Sequence, residues 1–204
     1  MAGNVKPYEQ FIFREYSVSL KQWIIDNTYL SSYPADANIT TVYTTPDRAW
    51  AKYIYPVING AVLTPNISFH LTGMEYSSDQ NLLGFVKEYK PIANSTKLKA
   101  VRAPLIYKLT YSATIYTRNQ PEMDVILYQL VSKAHRNAKG VMFVDGQWAE
   151  IEAGDPRDES NLEPQEAQDV IRRTGIDLTI ARAYVPLAYD EVQSIGAFEF
   201  TYDV

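Results

Sequence analysis

Between Leu105 and Ala134 the spacing of apolar residues changes abruptly, and that change limits what the chain can fold into. Leu105, Tyr107, Leu109, Tyr111, Ala113 and Ile115 occupy every second position, with mostly polar residues between them. This is the pattern of a long strand with one buried face. After Asn119, Met123, Ile126, Leu127, Leu130, Val131 and Ala134 fall at helical intervals, which puts them on one stripe of a helix. A strand that runs straight into an amphipathic helix builds a two-layer core of sheet and helix. The expected fold class is therefore α/β in the α+β sense: a twisted, mainly antiparallel mixed sheet with two or three helices packed on one face and projecting β-hairpin arms.

The helix that follows the long strand carries its own boundary signals. Asn119 is the expected N-cap, and Glu122 and Asp124 sit where negative charge favours the first turn. Lys133, His135, Arg136 and Lys139 suit the last turn, and Gly140 is the expected stop. Upstream, residues 11–29 read as an entry segment and a helix, with Val18, Leu20, Trp23, Ile24 and Asn27 on an imperfect stripe and Ser17 or Ser19 as the cap at its start. Residues 39–44 read as a β-branched strand. Thr45-Pro46-Asp47 then opens a short helix through Trp50 and Tyr53 that ends before Pro56. Pro65 precedes a strand over 66–76, with Ile67, Phe69 and Leu71 on one face and Ser68, His70 and Thr72 on the other. Asp145-Gly146, between 141–144 and 147–152, predicts a hairpin. Ile176, Leu178, Ile180 and Tyr184 alternate along a late strand, and Phe198, Phe200 and Tyr202 along a last one. The expected organisation is a single domain over residues 1–204, with arm or loop segments at 77–99 and 153–168.

Composition narrows the function. The net charge is −5 and the pI is near 5.1, which argues against non-specific nucleic-acid binding, because that needs a basic surface. The absence of cysteine excludes disulfides and thiolate metal sites. No run approaches the roughly 20 apolar residues of a membrane span, so no membrane association is expected. The 16 tyrosines suit surfaces that meet other proteins and also suit strands.

Few residues could carry chemistry. His70 and His135 have no carboxylate or second histidine at metal-ligand spacing, and the nine glycines form no phosphate-binding loop. Glu122 and Asp124 are explained by the helix dipole. The acidic run Glu150, Glu152, Asp155, Asp158, Glu159, Glu163 and Glu166 does not have the spacing of a calcium loop and reads as a solvated face. It could also meet a basic patch on a neighbouring subunit, with Arg172, Arg173 and Arg182 as the answering charges. The candidate interface residues are Arg118, Glu152, Asp155, Asp158, Glu159, Arg172, Arg173 and Arg182. No catalytic, metal or cofactor site is expected.

Ile115-Tyr116-Thr117-Arg118, followed by Met123, Ile126, Gln129 and Leu130, resembles the strand–helix core of the tail terminators, the tail sheath stabiliser and completion proteins of contractile-tailed bacteriophages. Pro65-Asn66-Ile67-Ser68-Phe69-His70-Leu71 resembles a second strand of that family, and Phe13-Arg14-Glu15-Tyr16 resembles its opening. The resemblance implies a structural virion protein with no catalysis, located at the tail neck and assembled in the host cytoplasm. It implies a homohexameric ring whose partners are the tail tube protein, the tail sheath protein and neck connector proteins. DNA would only pass through the lumen. Three alternatives remain: another neck component such as a head–tail stopper or adaptor, a small metal-dependent hydrolase using the acidic run, and a bacterial contractile-injection-system homologue that would share the ring and differ only in its partners.

Overall fold

The computed structural model describes residues 8–30, 39–54, 65–77, 86–91, 97–102, 104–134, 140–144, 146–160, 171–185 and 190–193. These divide into two compact units, Met1–Glu75 with Tyr107–Ala183 and Tyr76–Ile106 with Tyr184–Val204. Among the described residues the fold is mixed α+β, with mostly antiparallel sheets and three helices.

The first unit carries the seven-stranded sheet. In chain order its elements are α1 (Tyr8–Asn27), β1 (Thr40–Tyr43), α2 (Pro46–Ala49) with a π-helical turn (Trp50–Ile54), and β2 (Asn66–Tyr76). After β3 and β4, described below, come β5 (Leu105–Thr117), α3 (Gln120–Ala134), β6 (Gly140–Val144), β7 (Gln147–Ala153), β8 (Arg157–Asp158) and β9 (Arg172–Val185). The strand order is β1-β2-β5-β9-β7-β6, and β8 pairs with β9 outside that path. β1 runs parallel to β2. β6, β7 and β9 are antiparallel neighbours. β1 and β6 are thus the two ends of the sheet, and α1 packs against both.

Long strand β5 and helix α3 have the extents that the change of spacing predicts. Leu109, Tyr111, Ala113 and Ile115 are fully buried against Met123, Ile126, Leu130 and Ala134 of α3. Tyr16, Leu20, Trp23 and Ile24 of α1 complete this layer. Burial of each such side chain contributes about 1.5–3 kcal/mol, so the helices are held mainly by this face. Two expectations for α1 are corrected. The helix begins at Tyr8, so Ser17 is an interior residue. Its hydroxyl donates to the Phe13 carbonyl at 3.0 Å and lies 3.2 Å from the Tyr111 hydroxyl. Val18 is 53% exposed and Tyr16 takes the buried place instead, because the stripe follows 16, 20, 23 and 24.

A smaller core lies on another set of side chains. Ala49 and Ile54 pack on Tyr116, whose hydroxyl donates to the Pro46 carbonyl at 3.2 Å. Thr45 has the extended backbone of an N-cap but makes no side-chain cap bond, and Pro46 stands at the first helical position. Ser68 is fully buried, so the face of β2 that carries Ser68 is covered as well as the face that carries Ile67.

Gly140 is the first residue of β6. It is not a helix stop in the left-handed region. A Cβ there would lie 2.8 Å from Trp23 Cζ2 and 3.1 Å from the Lys133 carbonyl, so the close approach of α1 is what requires glycine. Residues 135–139, including His135, Arg136 and Lys139, lie outside the described residues. The Asp-Gly hairpin forms in the expected register, Val144 opposite Gln147, with Gly146 at φ 80°. Along β9 the buried positions 176, 178 and 180 give way to 183 and 185. The alternation shifts by one residue there, and Ala183 is buried where Tyr184 was expected.

The second unit carries a three-stranded sheet, β10-β4-β3, from β3 (Val86–Pro91), β4 (Lys97–Arg102) and β10 (Asp190–Gln193). Both pairings are antiparallel. The expected strand through Phe198, Phe200 and Tyr202 lies outside the described residues.

Candidate subunit interface

Asn119 anchors the junction between β5 and α3. Its Oδ1 accepts from the Glu122 backbone N–H at 3.0 Å, and its Nδ2 donates to Glu122 Oε1 at 3.0 Å. This reciprocal cap satisfies donors that the first turn leaves open. Glu122 Oε2 also accepts from the backbone N–H of Arg118 at 3.4 Å. Glu122 is therefore buried as part of the cap, and Asp124 accepts from Gln120 Nε2 at 2.7 Å. Their arrangement is that of helix-start residues.

The charged candidates fall into two groups. The first is bound within the chain. The Arg173 Nε lies 3.0 Å from Glu159 Oε2, and the guanidinium stands 5.9 Å from the Tyr116 ring centroid. The Glu159 backbone N–H donates to the Arg173 carbonyl at 2.9 Å, and the Ser160 hydroxyl both accepts from Arg173 N at 3.0 Å and donates to Arg173 O at 3.2 Å. Glu159 lies over Gly175, where a Cβ would collide with its carboxylate. One step along, Arg157 pairs with Asp177 at 2.8 Å, and this bond raises the Arg157 pKa. Asp158 accepts from the Ser160 backbone N–H at 2.9 Å, which with the Ser160 hydroxyl lowers its carboxyl pKa. The first part of the acidic run is thereby strapped along β9, and residues 161–168 lie outside the described residues.

The second group stands at the surface. Arg118, Asp155, Asp158 and Arg182 are exposed, and Glu152 and Arg172 are half-buried. Arg172 and Asp158 line a small polar cleft of about 220 Å³ with Gln120 and Thr174. Arg182 lies far along β9 from Arg172 and Arg173. The structure brings Asp158, Glu159, Arg172 and Arg173 together. Among the described residues, no three His, Asp or Glu side chains converge as a metal site would require. His70 is half-buried on β2.

Sequence reasoning missed a set of exposed apolar residues. Val141, Phe143 and Trp148 are 48, 55 and 68% exposed, and the Phe143 and Trp148 rings meet edge to face at 5.1 Å. The signal was present: three large apolar residues on the outward positions of an alternating hairpin. Tyr29 and Tyr128 are likewise exposed, beside the paired hydrogen bonds of Gln129 with the Tyr29 backbone at 2.9 and 3.0 Å.

The β2 strand, the β5 strand and the capped start of α3 lie in one continuous segment of sequence. Residues 57–133 match the T4-like virus Myoviridae tail sheath stabiliser family. The match spans β2 to β5 and all but the last residue of α3, so it contains two of the three blocks on which the resemblance rested. The block at Phe13–Tyr16 lies outside it. The matched segment is about two fifths of the chain, and over it the chain is similar to that family. A solved structure described as the PVC sheath/tube terminator of an extracellular contractile injection system, in its extended state, aligns over 94% of this chain and 63% of that one. The identity is 11% and the TM-score 0.46, and this chain spans less than two thirds of that protein's length. No curated protein matches.

Proposed function

We propose that this protein forms a hexameric ring that ends the tail tube, stabilises the contractile sheath and joins the tail to the head at the neck. The observation that carries this reading is the match of the β2–α3 segment to tail sheath stabilisers. The partners are then further copies of the chain, the tube protein, the sheath protein and the neck connectors. Such a ring needs two different surfaces on each copy, meeting around the axis. Exposed aromatic side chains on β6, β7 and α3, and Tyr29 just beyond α1, supply material for those contacts. Arg118, Glu152, Asp155, Asp158, Arg172 and Arg182 would fix register between copies, since rim charges tune specificity more than affinity. Glu159 and Arg173 would act through the strap along β9. A net charge of −5 favours passage of DNA through a lumen over adhesion to it.

The test is the position and copy number of this chain in an intact particle, by electron cryomicroscopy of assembled tails. Six copies at the head-proximal end, touching tube and sheath, are expected. A single copy, or contact with portal-side proteins alone, would assign the chain to another neck component.

A further inference from the structure

Two surfaces of the first unit are complementary in chemistry. One is the outer face of the β6–β7 hairpin, at one end of the sheet. Phe143 and Trp148 stand opposite each other in register and form an exposed aromatic knob. Val141 lies on the same face opposite Glu150, and Glu150 is exposed, so the knob has an acidic border. The other surface lies beside β1, at the opposite end of the strand order. Phe13, Val18, Tyr43 and Leu71 line an open cleft of about 420 Å³, with Arg14 and Lys21 at its rim. Its floor is apolar, and both rim cations are exposed. Its volume lies in the range of clefts that take a few rings. On a chain of net charge −5, a basic-rimmed apolar cleft selects an acidic partner with aromatic side chains.

We propose that the β6–β7 hairpin of one copy, led by Trp148 and Phe143, seats in the Phe13–Val18–Tyr43–Leu71 cleft of the next copy. Knob and cleft are different surfaces, so the contact is heterologous and repeats from copy to copy, closing when the rotation allows. This inference deepens the ring reading above and names the faces that meet. Aromatic residues in a desolvated pocket carry most of the energy of such contacts, and the surrounding charges contribute register. The apolar face of the hairpin is thereby covered in the assembly.

The absence of native cysteine permits a direct test. Trp148→Cys and Val18→Cys variants are prepared singly and together, and oxidised both as purified protein and in assembled tails. Mixed single variants are expected to give a disulfide dimer, and the double variant a ladder of multiples. Tyr128→Cys in place of Val18→Cys should give none with Trp148→Cys. In parallel, Phe143→Ser/Trp148→Ser should weaken self-association by about a hundredfold, with circular dichroism and Tm as in the parent protein. If the parent protein is multimeric and neither result appears, the seating is wrong while the ring stands. If the parent protein is a single copy both in solution and in tails, ring and seating fall together. If the serine variant stays multimeric but no longer joins tails, the hairpin faces a sheath or tube subunit and the proposal is overturned.

Discussion

Tyr111 shows how a single buried group sets a pH limit. Its side chain is fully buried, and desolvation pushes its pKa up to about 12, against the opposing effect of the bond to Ser17. The unfolded chain loses this proton near its ordinary value of about 10. A raised folded pKa favours the neutral form, so the contribution is fully present below pH 10 and is lost as the pH rises toward 12. The linked loss is about 2–3 kcal/mol over that window. Thermal unfolding followed from pH 9 to 12 should fall more steeply for the parent protein than for Tyr111→Phe. Equal slopes would show that this hydroxyl is not the sensitive group. Gly140 gives a second residue-scale test. Gly140→Ala forces a methyl against the Trp23 ring and the Lys133 carbonyl, and should cost about 1–3 kcal/mol in denaturant unfolding, as overpacking does.

At the scale of an element, the β5–α3 junction is the best-determined part of the chain. Asn119→Ala removes both halves of the reciprocal cap with Glu122 and should cost about 1–2 kcal/mol, while Asn119→Asp keeps the acceptor for the Glu122 N–H, loses the donor to the Glu122 carboxylate and should recover only part of that cost. A cost near zero in urea titrations would mean that the β5 and α3 packing alone fixes the helix start. Within α3, Leu130→Ala opens the main core and should cost about 2–5 kcal/mol. Tyr128→Ala, 73% exposed, should stay within about 0.5 kcal/mol in the isolated protein. The extents of β5 and of the Asp-Gly hairpin and the start of α3 were legible because each carries a regular period or a chemical boundary, Asn119 for α3 and Gly146 for the hairpin. The start of α1 was not, since Val18 fits a helical stripe by spacing and only Tyr111 and the sheet decide which stripe is buried. The same holds for β9, whose alternation shifts between Ile180 and Ala183 without any glycine or proline to mark it.

For the whole molecule, the acidic balance predicts that the protein does not retard duplex DNA in a mobility assay at physiological salt; retardation under those conditions would contradict the proposed passive lumen. The sequence by itself determined the mixed fold, the long strand joined to a capped helix, the sheath-stabiliser resemblance and the poverty of reactive constellations. These follow from local spacing and composition, which act over a few residues. Tertiary structure alone decided that Glu159 and Arg173 answer each other within one chain, that Gly140 exists to admit Trp23, and that Val141, Phe143 and Trp148 stay uncovered beside a sheet end. Each of these depends on which distant strands become neighbours and which face the helices cover. Hydrophobic burial makes that choice by summing over the whole core, and no single stretch of residues encodes the sum.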